Sequence, residues 1–435
     1  MKFGGHAAKI ALALAMTTVV AACGGNSPAK EGAADGKIEL TMLTHYVGQN
    51  ETHFKPIIDQ WNKENPDIQI KPIGVDFGEL QKTIMTRQTA GQGADIMHVY
   101  TLWGGQLHKN NVLAKAPDYI AEDVRANYPD AAAKGVTIDG HIYGIPTEVQ
   151  AYGLFYNKRL LKEAGFEQPP ATWDELLSMA QAIEKTDGAG KVQIQGFGFQ
   201  RGYAGIVDQP FMALMAAAGS NLLSDDLKQS NLNSDAGRQT MELYSKVYGK
   251  NGLTDLAVDT TKGFVNGQVA MTIGAGWWAG SLKTVMAERY EDVGVAPIPS
   301  PDGSRKGTIA YTWAWGVNNK SKHQEAAWKF LHWMNATVAK DGLTPEGSFL
   351  LDTFNTASSR KSDLEAQKLQ DHLNSDPTIR MFSDALAYAS EEQSPAAAAE
   401  VQDILFKNIE SMWTDQQSLE DTLRNAHTQI EEKLK

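Results

Sequence analysis

The 435-residue sequence predicts an α/β protein built from two domains. Segments rich in β-forming residues alternate with amphipathic helical segments through short links, which is typical of a parallel sheet with helices on both faces. The chain beyond residue 36 has about 400 residues, more than a single hydrophobic core normally serves. Its one cysteine is Cys23, so disulfides cannot contribute and both domains must depend on apolar burial.

Hydrophobic periodicity predicts the individual elements. Strands are expected at residues 38–46, 68–75, 96–100, 194–199 and 269–273, and helices at residues 54–65, 80–89, 158–164, 173–184, 210–218, 236–248 and 399–435. In a sheet of this kind, ligands bind beyond the carboxyl ends of the strands. The first three strands end near residues 44–46, 76 and 100–103, so these positions are expected to border a site.

Charge and composition restrict the kind of ligand. The chain has 40 basic and 52 acidic residues, a formal net charge of −12, and no basic block. A nucleic-acid-binding protein is expected to present a stripe of Lys and Arg, and an acidic protein is a poor partner for a polyanion. Ten tryptophans and thirteen tyrosines are more informative, because their positions decide which ligand the protein can hold.

The N-terminal segment has the layout of an export signal. Lys2 and Lys9 supply positive charge, residues 10–20 form a short apolar core, and small residues precede Cys23. The run that ends in Cys23 resembles the lipobox of bacterial lipoproteins, in which this cysteine is lipidated and begins the mature chain. We therefore expect a lipoprotein signal peptide at residues 1–22, and the lipidated Cys23 with a flexible linker at residues 23–36. The apolar run is too short for a permanent membrane span.

Five segments resemble, in the correct order, the signature of family 1 extracellular solute-binding proteins. They are residues 140–146 (GHIYGIP), 154–158 (LFYNK), 169–176 (PPATWDEL), 264–271 (FVNGQVAM) and 325–331 (EAAWKFL). These proteins are the sugar-binding components of ABC importers, and the maltose-binding protein is their best-known member. Each segment is weak evidence alone, but together they cover essentially residues 37–435.

The resemblance implies a two-lobed periplasmic-binding-protein fold, maltose-binding-protein-like, whose lobes close over a ligand about a hinge. The chain is expected to cross between the lobes near residues 146–151, near residues 307–312 and again after residue 350. The N-terminal lobe would then comprise residues 37–147 and 308–356, and the C-terminal lobe residues 148–307 and 357–435. The implied partners are a sugar, expected to be an oligosaccharide, and the membrane permease subunits of the importer. We expect a monomer outside the cytoplasm, anchored through Cys23.

Tryptophan positions separate candidate site residues from core residues. Trp61, Trp173, Trp328, Trp333 and Trp413 fall in helical patterns and are expected to pack, whereas Trp103, Trp277, Trp278, Trp313 and Trp315 fall at strand ends or loops. Stacking on the apolar face of a sugar requires such exposed flat rings. In maltose-binding-type relatives a tryptophan stacks on a sugar ring at the position that Trp277 matches. For Trp278 a place in the site and a place in the core are equally expected. Trp315 is expected to be covered by the helix near residues 325–333.

The remaining candidate site residues are aromatic or polar groups near strand ends and crossings. Carboxylates, amides and guanidinium groups replace the hydration of sugar hydroxyls. Gln150 aligns with an acidic sugar-contacting position of the maltose-binding protein, which is a departure from the family pattern. The predicted ligand-binding residues are Tyr46, Tyr100, Trp103, Glu148, Gln150, Gln200, Arg201, Trp277, Trp278, Tyr311, Trp313 and Tyr388, the last on a helix spanning residues 381–389.

Three other classes of protein remain as alternatives. An exported glycoside hydrolase would need two carboxylates across the scissile bond, and Glu148 has no evident partner. A binding protein of the same fold for glycerol phosphate, a polyamine or iron would need clustered bases or acids, and none is visible. A structural or adhesive lipoprotein has no reason to place tryptophans at strand ends. No cofactor or metal site is predicted, since the ten histidines show no metal-ligand spacing and no catalytic motif is found.

Overall fold

A computed structural model describes residues 37–46, 51–249 and 252–435. Cys23 and the predicted signal and linker segments lie outside the described residues. Residues Ile38–Lys435 pack as one compact unit. The strands are β1 (Ile38–Thr44), β2 (Ile68–Gly74), β3 (Ile96–Tyr100), β4 (Thr137–Ile138), β5 (His141–Ile142), β6 (Ile145–Asn157), β7 (Lys185–Thr186), β8 (Val192–Phe197), β9 (Val269–Ala275), β10 (Val293–Ala296), β11 (Thr308–Val317) and β12 (Ala389–Glu391).

Helices surround the strands, and short 3-10 helices follow β3 and α11. No helix in the described part of the chain is long and apolar enough to cross a membrane. The α-helices are α1 (Glu51–Glu64), α2 (Phe77–Thr89), α3 (Gly104–Lys109), α4 (Asp118–Asn127), α5 (Asp130–Gly135), α6 (Lys158–Glu163), α7 (Trp173–Ile183), α8 (Ala204–Ala217), α9 (Asp235–Val247), α10 (Thr260–Val265), α11 (Trp277–Met286), α12 (Gln324–Ala336), α13 (Pro345–Phe354), α14 (Lys361–Glu365), α15 (Gln367–Ser375), α16 (Pro377–Ala385), α17 (Ala398–Trp413) and α18 (Leu419–Leu434).

Ten of these strands join into one mixed sheet. Its main path runs β2-β1-β3-β11-β6-β9-β8-β7, with β10 paired to β6 and β12 paired to β11. The pairs β1-β2, β1-β3 and β8-β9 are parallel, as the alternation of strands and helices predicts. The centre is antiparallel, because the long strands β6 and β11 pair with each other and with β3 and β9. The parallel pairing expected from the alternation is therefore found toward both ends of the sheet, and the centre is antiparallel.

The strand β6 changes partners along its length. Residues Ile145 to Ala151 pair with β11, and residues Tyr152 to Asn157 pair with β9 and β10. Since β11 continues to β3 and β9 continues to β8, β6 joins the two parallel ends of the sheet. The predicted first crossing, at residues 146–151, falls on the segment just before this exchange.

Local sequence signals account for well-defined elements. The helix α7 begins at a capping box, in which the Thr172 hydroxyl accepts from the Glu175 amide at 3.1 Å and the Glu175 carboxylate accepts from the Thr172 amide at 3.2 Å. Its apolar face buries Trp173 and Leu176. Two C-terminal predictions need correction. The segment 399–435 forms two helices, α17 and α18, and Tyr388 lies in a turn because α16 ends at Ala385.

Separate apolar clusters stabilise the unit. One cluster packs α1, α12 and α13 against the β1 side of the sheet and includes the fully buried Trp61 and Trp328. A larger cluster joins α7, α8 and α9 with the C-terminal helices and includes Trp413. Trp315 is also fully buried, in the cluster that contains the α12 side chains, as expected.

Candidate ligand-binding site

A cavity of ≈ 510 Å³ opens at the carboxyl ends of the first strands. This volume is within the range of pockets that bury most of a small organic ligand. Aromatic residues are the largest group in its walls. The ten Phe, Tyr and Trp residues in its lining are Tyr46, Phe77, Tyr100, Tyr152, Tyr203, Trp277, Trp278, Tyr311, Trp313 and Phe354, and its polar side chains include those of His45, Asp76, Glu148, Gln200, Gln209 and Ser281.

Three parallel strands deliver residues to this cavity at their carboxyl ends. His45 and Tyr46 follow β1, Asp76 precedes α2 after β2, and Tyr100 ends β3. Because parallel strands end at one edge of a sheet, residues distant in sequence meet there. The strand-end rule therefore locates one wall of the cavity from the sequence.

Trp313 is the centre of a packed aromatic wall. Its ring lies 4.5 Å from that of His45 and 5.4 Å from that of Tyr100, the latter nearly parallel at 27°. Phe77 and Trp103 meet it edge-on at 5.8 and 5.6 Å. Only 5% of Trp313 is exposed, so this ring is a fixed surface rather than a mobile one. Burial lowers the pKa of His45, and its imidazole is therefore neutral near pH 7.

Glu148 contributes a buried carboxyl group beside this wall. Tyr46 Oη lies 3.1 Å from both carboxylate oxygens, and the hydroxyl of Thr147 also donates to Glu148. Burial raises the pKa of Glu148, and these hydroxyl donors oppose the increase. The ladder between β6 and β11 shifts register here, so that Thr147 and Glu148 together oppose Trp313. Such β-bulges redirect side chains and are common beside functional sites.

A second set of polar residues adjoins the cavity at Tyr100. Tyr152 donates to Gln209 Oε1, the Gln209 amide donates to the hydroxyl of Tyr100, and Tyr100 in turn donates to Glu392. The Gln209 amide also lies 3.3 Å from Glu392 Oε1. Burial raises the pKa of Glu392 to about 7. This chain of hydrogen bonds joins residues from β3, β6, α8 and the end of β12.

The first turn of α11 supplies two indole rings with different roles. Trp277 is half-buried in the cavity, whereas Trp278 is 5% exposed and packs on Phe155 at 5.0 Å as well as reaching the lining. Gly276 precedes them with φ −56°, a conformation open to any residue. Its requirement is space: a Cβ there would lie 3.0 Å from Gln150 Oε1 and from the Phe382 ring. Close packing, not a sharp turn, explains this glycine.

Eight of the twelve predicted site residues line the cavity: Tyr46, Tyr100, Glu148, Gln200, Trp277, Trp278, Tyr311 and Trp313. Four are not part of its lining. Trp103 packs behind Trp313, and Gln150 donates to Thr356 Oγ1 at 3.1 Å. Arg201 donates to the carbonyl groups of Leu256 and Val258, and Tyr388 lies beneath the Lys306 ammonium.

Other lining residues were not among the sequence-based candidates. His45 and Asp76 lie at the carboxyl ends of predicted strands, where ligands are expected to bind. Both could therefore have been predicted from the sequence. Tyr152 directly follows the predicted first crossing, but nothing local distinguishes it from a core tyrosine. Tyr203, Gln209 and Phe354 come from α8 and α13 or their approaches, and only the assembled fold brings them to the cavity.

The charge of the lining is acidic or neutral. Among the described residues of the lining, Asp76 and Glu148 are the acids, and none is Lys or Arg. Asp76 is thus a second acid in this cleft, in addition to Glu148, which was the one acid placed there from the sequence. Within the described residues, no group of three or more His, Cys, Asp or Glu side chains is arranged to hold a metal ion. The arrangement can stack flat ligand faces and accept hydrogen bonds, and it offers no convergent cations to a phosphate.

The fold and the cavity define a ligand-capturing protein of the periplasmic-binding-protein class. Residues 48–341 match the family of bacterial extracellular solute-binding proteins, and the chain belongs to this family. The protein therefore acts outside the cytoplasm as a solute-binding protein and not as an enzyme, which removes the hydrolase alternative.

Individual proteins agree with this assignment. The maltodextrin-binding protein of Bacillus subtilis is 26% identical over 370 residues, covering 80% of this chain and 81% of the relative. The arabinooligosaccharide-binding protein of the same organism is 25% identical over 343 residues, covering 74% of each chain. The GacH receptor of Streptomyces glaucescens, solved unliganded and with acarbose, superposes with a TM-score of 0.79 at 20% identity, over 92% of this chain and 98% of the receptor. The structural similarity establishes the two-lobed fold.

Proposed function

We propose that this protein captures a neutral oligosaccharide between its two lobes and delivers it to an ABC import transporter. The observation that carries the proposal is the cavity with ten aromatic residues, two acids and no Lys or Arg in its described lining. Flat rings cover the apolar faces of sugar rings, while carboxylates and amides bind their hydroxyls. The names of the relatives, which bind maltodextrin and arabinooligosaccharides, support the same class of ligand.

The charge of the lining supports an uncharged ligand. Glycerol phosphate requires convergent Lys or Arg side chains, which the described lining lacks. A polyamine requires several acids beside aromatic rings, so Asp76 and Glu148 make putrescine a necessary comparison. Iron would require a cluster of ligating side chains, and the described residues offer none.

Titration of intrinsic tryptophan fluorescence, with calorimetry, tests this proposal. The panel contains maltose, maltotriose, maltotetraose and arabinotriose, with digalacturonate, glycerol 3-phosphate and putrescine as charged comparisons. We expect saturable binding of at least one neutral oligosaccharide and recovery of that sugar intact after prolonged incubation. Tighter binding of a charged comparison, or release of shorter sugars in proportion to protein and time, contradicts the proposal.

The remaining parts of the proposal concern lobes and anchoring. We assign residues 37–147 and 308–356 to one lobe and residues 148–307 and 357–435 to the other. The exchange of partners along β6 supports a boundary within this strand, and it falls between Ala151 and Tyr152, four residues after the assigned one. Closure requires a ligand that contacts both lobes, because only differential contact shifts the equilibrium between open and closed states. We further propose a monomer held at the membrane through a lipid on Cys23.

A further inference from the structure

We propose that Glu392 is a positioning residue, which holds the polar groups of Tyr100 and Gln209 in the arrangement that binds the ligand. This inference rests on the proposed sugar-binding function. Glu392 does not line the cavity, and both of its partners do. The sequence gives no local sign of this role, since Glu392 follows the short strand β12 near the end of the chain.

The carboxyl group of Glu392 is the terminus of the buried hydrogen-bond chain behind the cavity. It accepts from the Tyr100 hydroxyl and, at 3.3 Å, from the Gln209 amide. These partners are 292 and 183 positions away in sequence. The Glu392 amide donates to the Ala310 carbonyl group at 2.9 Å, which ties the residue to β11. The carboxyl group is therefore held by the backbone and holds two cavity side chains.

Removing this acceptor would leave two buried donors without a partner. Gln209 uses its carbonyl oxygen for Tyr152 and its amide for Tyr100 and Glu392, so its orientation is determined from both ends. Buried networks of this kind are effective only when every member is satisfied. Without Glu392, the Tyr100 hydroxyl and one N–H of Gln209 would lose their acceptor and turn toward other partners, so sugar hydroxyls would meet misplaced donors.

The same bonds join segments that we assign to different lobes. Tyr100 belongs to the proposed N-terminal lobe, while Tyr152, Gln209 and Glu392 belong to the proposed C-terminal lobe. Although its sequence position places it in the C-terminal lobe, Glu392 is bonded through its amide to Ala310 on β11 and stays beside Tyr100, so opening would withdraw Tyr152 and Gln209 from this pair. Glu392 thus links the arrangement of the cavity side chains to closure of the lobes. The closed conformation is the one that the transporter must recognise.

Protonation of Glu392 makes this role measurable. Burial raises the pKa of Glu392 to about 7, and the groups that face it are Tyr100 from β3, Tyr152 from β6, Asp208 and Gln209 from α8, and Tyr311 from β11. Opening would return its pKa toward the ordinary value of about 4.3. A pKa that is higher in the closed state means that closure takes up a proton. Proton uptake by Glu392 thus favours closure fully at pH values below the ordinary pKa. This contribution to closure is lost as pH rises through about 7.

The test measures affinity between pH 5 and pH 8.5 for the wild-type protein, Glu392→Ala, Glu392→Gln and the control Glu391→Gln, with maltotriose or the tightest member of the panel as probe. Glu391 is the neighbour on β12 and is outside the hydrogen-bond chain. We expect wild-type affinity to fall with rising pH, by at most about tenfold per pH unit. Glu392→Ala should bind at least about tenfold more weakly at pH 6. Glu392→Gln keeps an acceptor for Tyr100 and should bind within about threefold of wild type at pH 6, without the pH dependence.

A ligand-free measurement separates failure of this inference from failure of the proposed function. Trp313 stacks on Tyr100, so the fluorescence of the ligand-free wild-type protein and of the Glu391→Gln control should change as Glu392 titrates, between its ordinary pKa of about 4.3 and about 7, and this component should be absent in Glu392→Gln. If no panel sugar binds, the proposed function fails and the fluorescence difference still decides the role of Glu392. Wild-type affinity in Glu392→Ala, or an unchanged pH profile in Glu392→Gln, overturns the inference.

Discussion

The hydroxyl oxygen of Tyr46 lies 3.1 Å from each carboxylate oxygen of Glu148, although 102 positions separate the two residues in sequence. Tyr46 follows β1 and Glu148 sits at the bulge of β6. One phenolic proton is shared between the two oxygens, and Thr147 supplies a second hydroxyl donor. These donors counteract the desolvation of a buried carboxyl group, and they orient it toward the cavity.

Tyr46→Phe should weaken sugar binding by about tenfold, because a hydrogen bond to a charged group contributes about 1.5–3 kcal/mol and its loss favours the protonated, misoriented form of Glu148. Calorimetry at pH 7 measures this change. The matched control is Tyr244→Phe, which removes an equally buried hydroxyl, 2.9 Å from the Val207 carbonyl oxygen, outside the cavity. Equal affinity losses in both variants would show that the effect is not specific to Glu148.

Three tryptophan truncations should give three different results. Trp277 is half-buried in the cavity, so Trp277→Ala should lower affinity by about 2 kcal/mol, roughly thirtyfold, with a nearly unchanged thermal midpoint. Trp328 is 2% exposed, and Trp328→Ala should cost about 3–5 kcal/mol of stability without a specific loss of affinity. Trp313 lines the cavity but also packs against several rings, so Trp313→Ala should lower both the affinity for the sugar and the folding stability. Calorimetry and thermal melting separate these classes, and early melting of Trp277→Ala with normal affinity would contradict the site.

Asp208→Asn should stabilise the protein at alkaline pH. Asp208 is fully buried, and neither carboxylate oxygen has a hydrogen-bond partner among the described residues. Burial and the nearby carboxylates Asp403 and Glu392 hold its pKa well above the ordinary value. A raised pKa in the folded state means that stability is greatest below the ordinary pKa and declines as pH rises through the folded value.

Urea unfolding at pH 4 and pH 8.5 tests this expectation. The free energy of unfolding of Asp208→Asn should exceed that of wild type by about 1–3 kcal/mol at pH 8.5 and match it at pH 4. The exposed Asp225→Asn, which makes the same chemical change, should alter stability by less than about 0.5 kcal/mol at either pH. A destabilised Asp208→Asn at pH 8.5 would show that the carboxylate has a favourable partner.

Cys23→Ala should move the protein from the membrane fraction to the soluble extracytoplasmic fraction, because the variant cannot carry the proposed lipid anchor. Fractionation and immunoblotting of cells that express each form measure the change. Affinity for the sugar should not change, since the proposed site is formed by described residues beyond the predicted linker. Continued membrane association of the variant would contradict the anchor.

Local signals in the sequence predicted many of the longer regular elements. Periodicity recovered strands such as β3 and helices such as α7, because hydrophobic spacing and capping residues act over a few positions. The strand-end rule led to Tyr46 and Tyr100, and the resemblance led to Trp277. Gln209 and Glu392 could not be predicted in the same way. In the sequence, an amide on a helix or a carboxylate after a short strand looks like an ordinary solvent-exposed residue.

The sequence by itself determined the class of the protein: the α/β alternation, the order of the family segments and the aromatic residues at strand ends are all readable along the chain. The tertiary structure decided which of those aromatic residues share a cavity, that Arg201 and Tyr388 are outside its lining, and that Glu392 meets Tyr100. The physical reason is the distance along the chain over which each kind of interaction acts. Secondary structure follows from neighbouring residues, whereas the burial and hydrogen bonding of a side chain depend on elements hundreds of positions away.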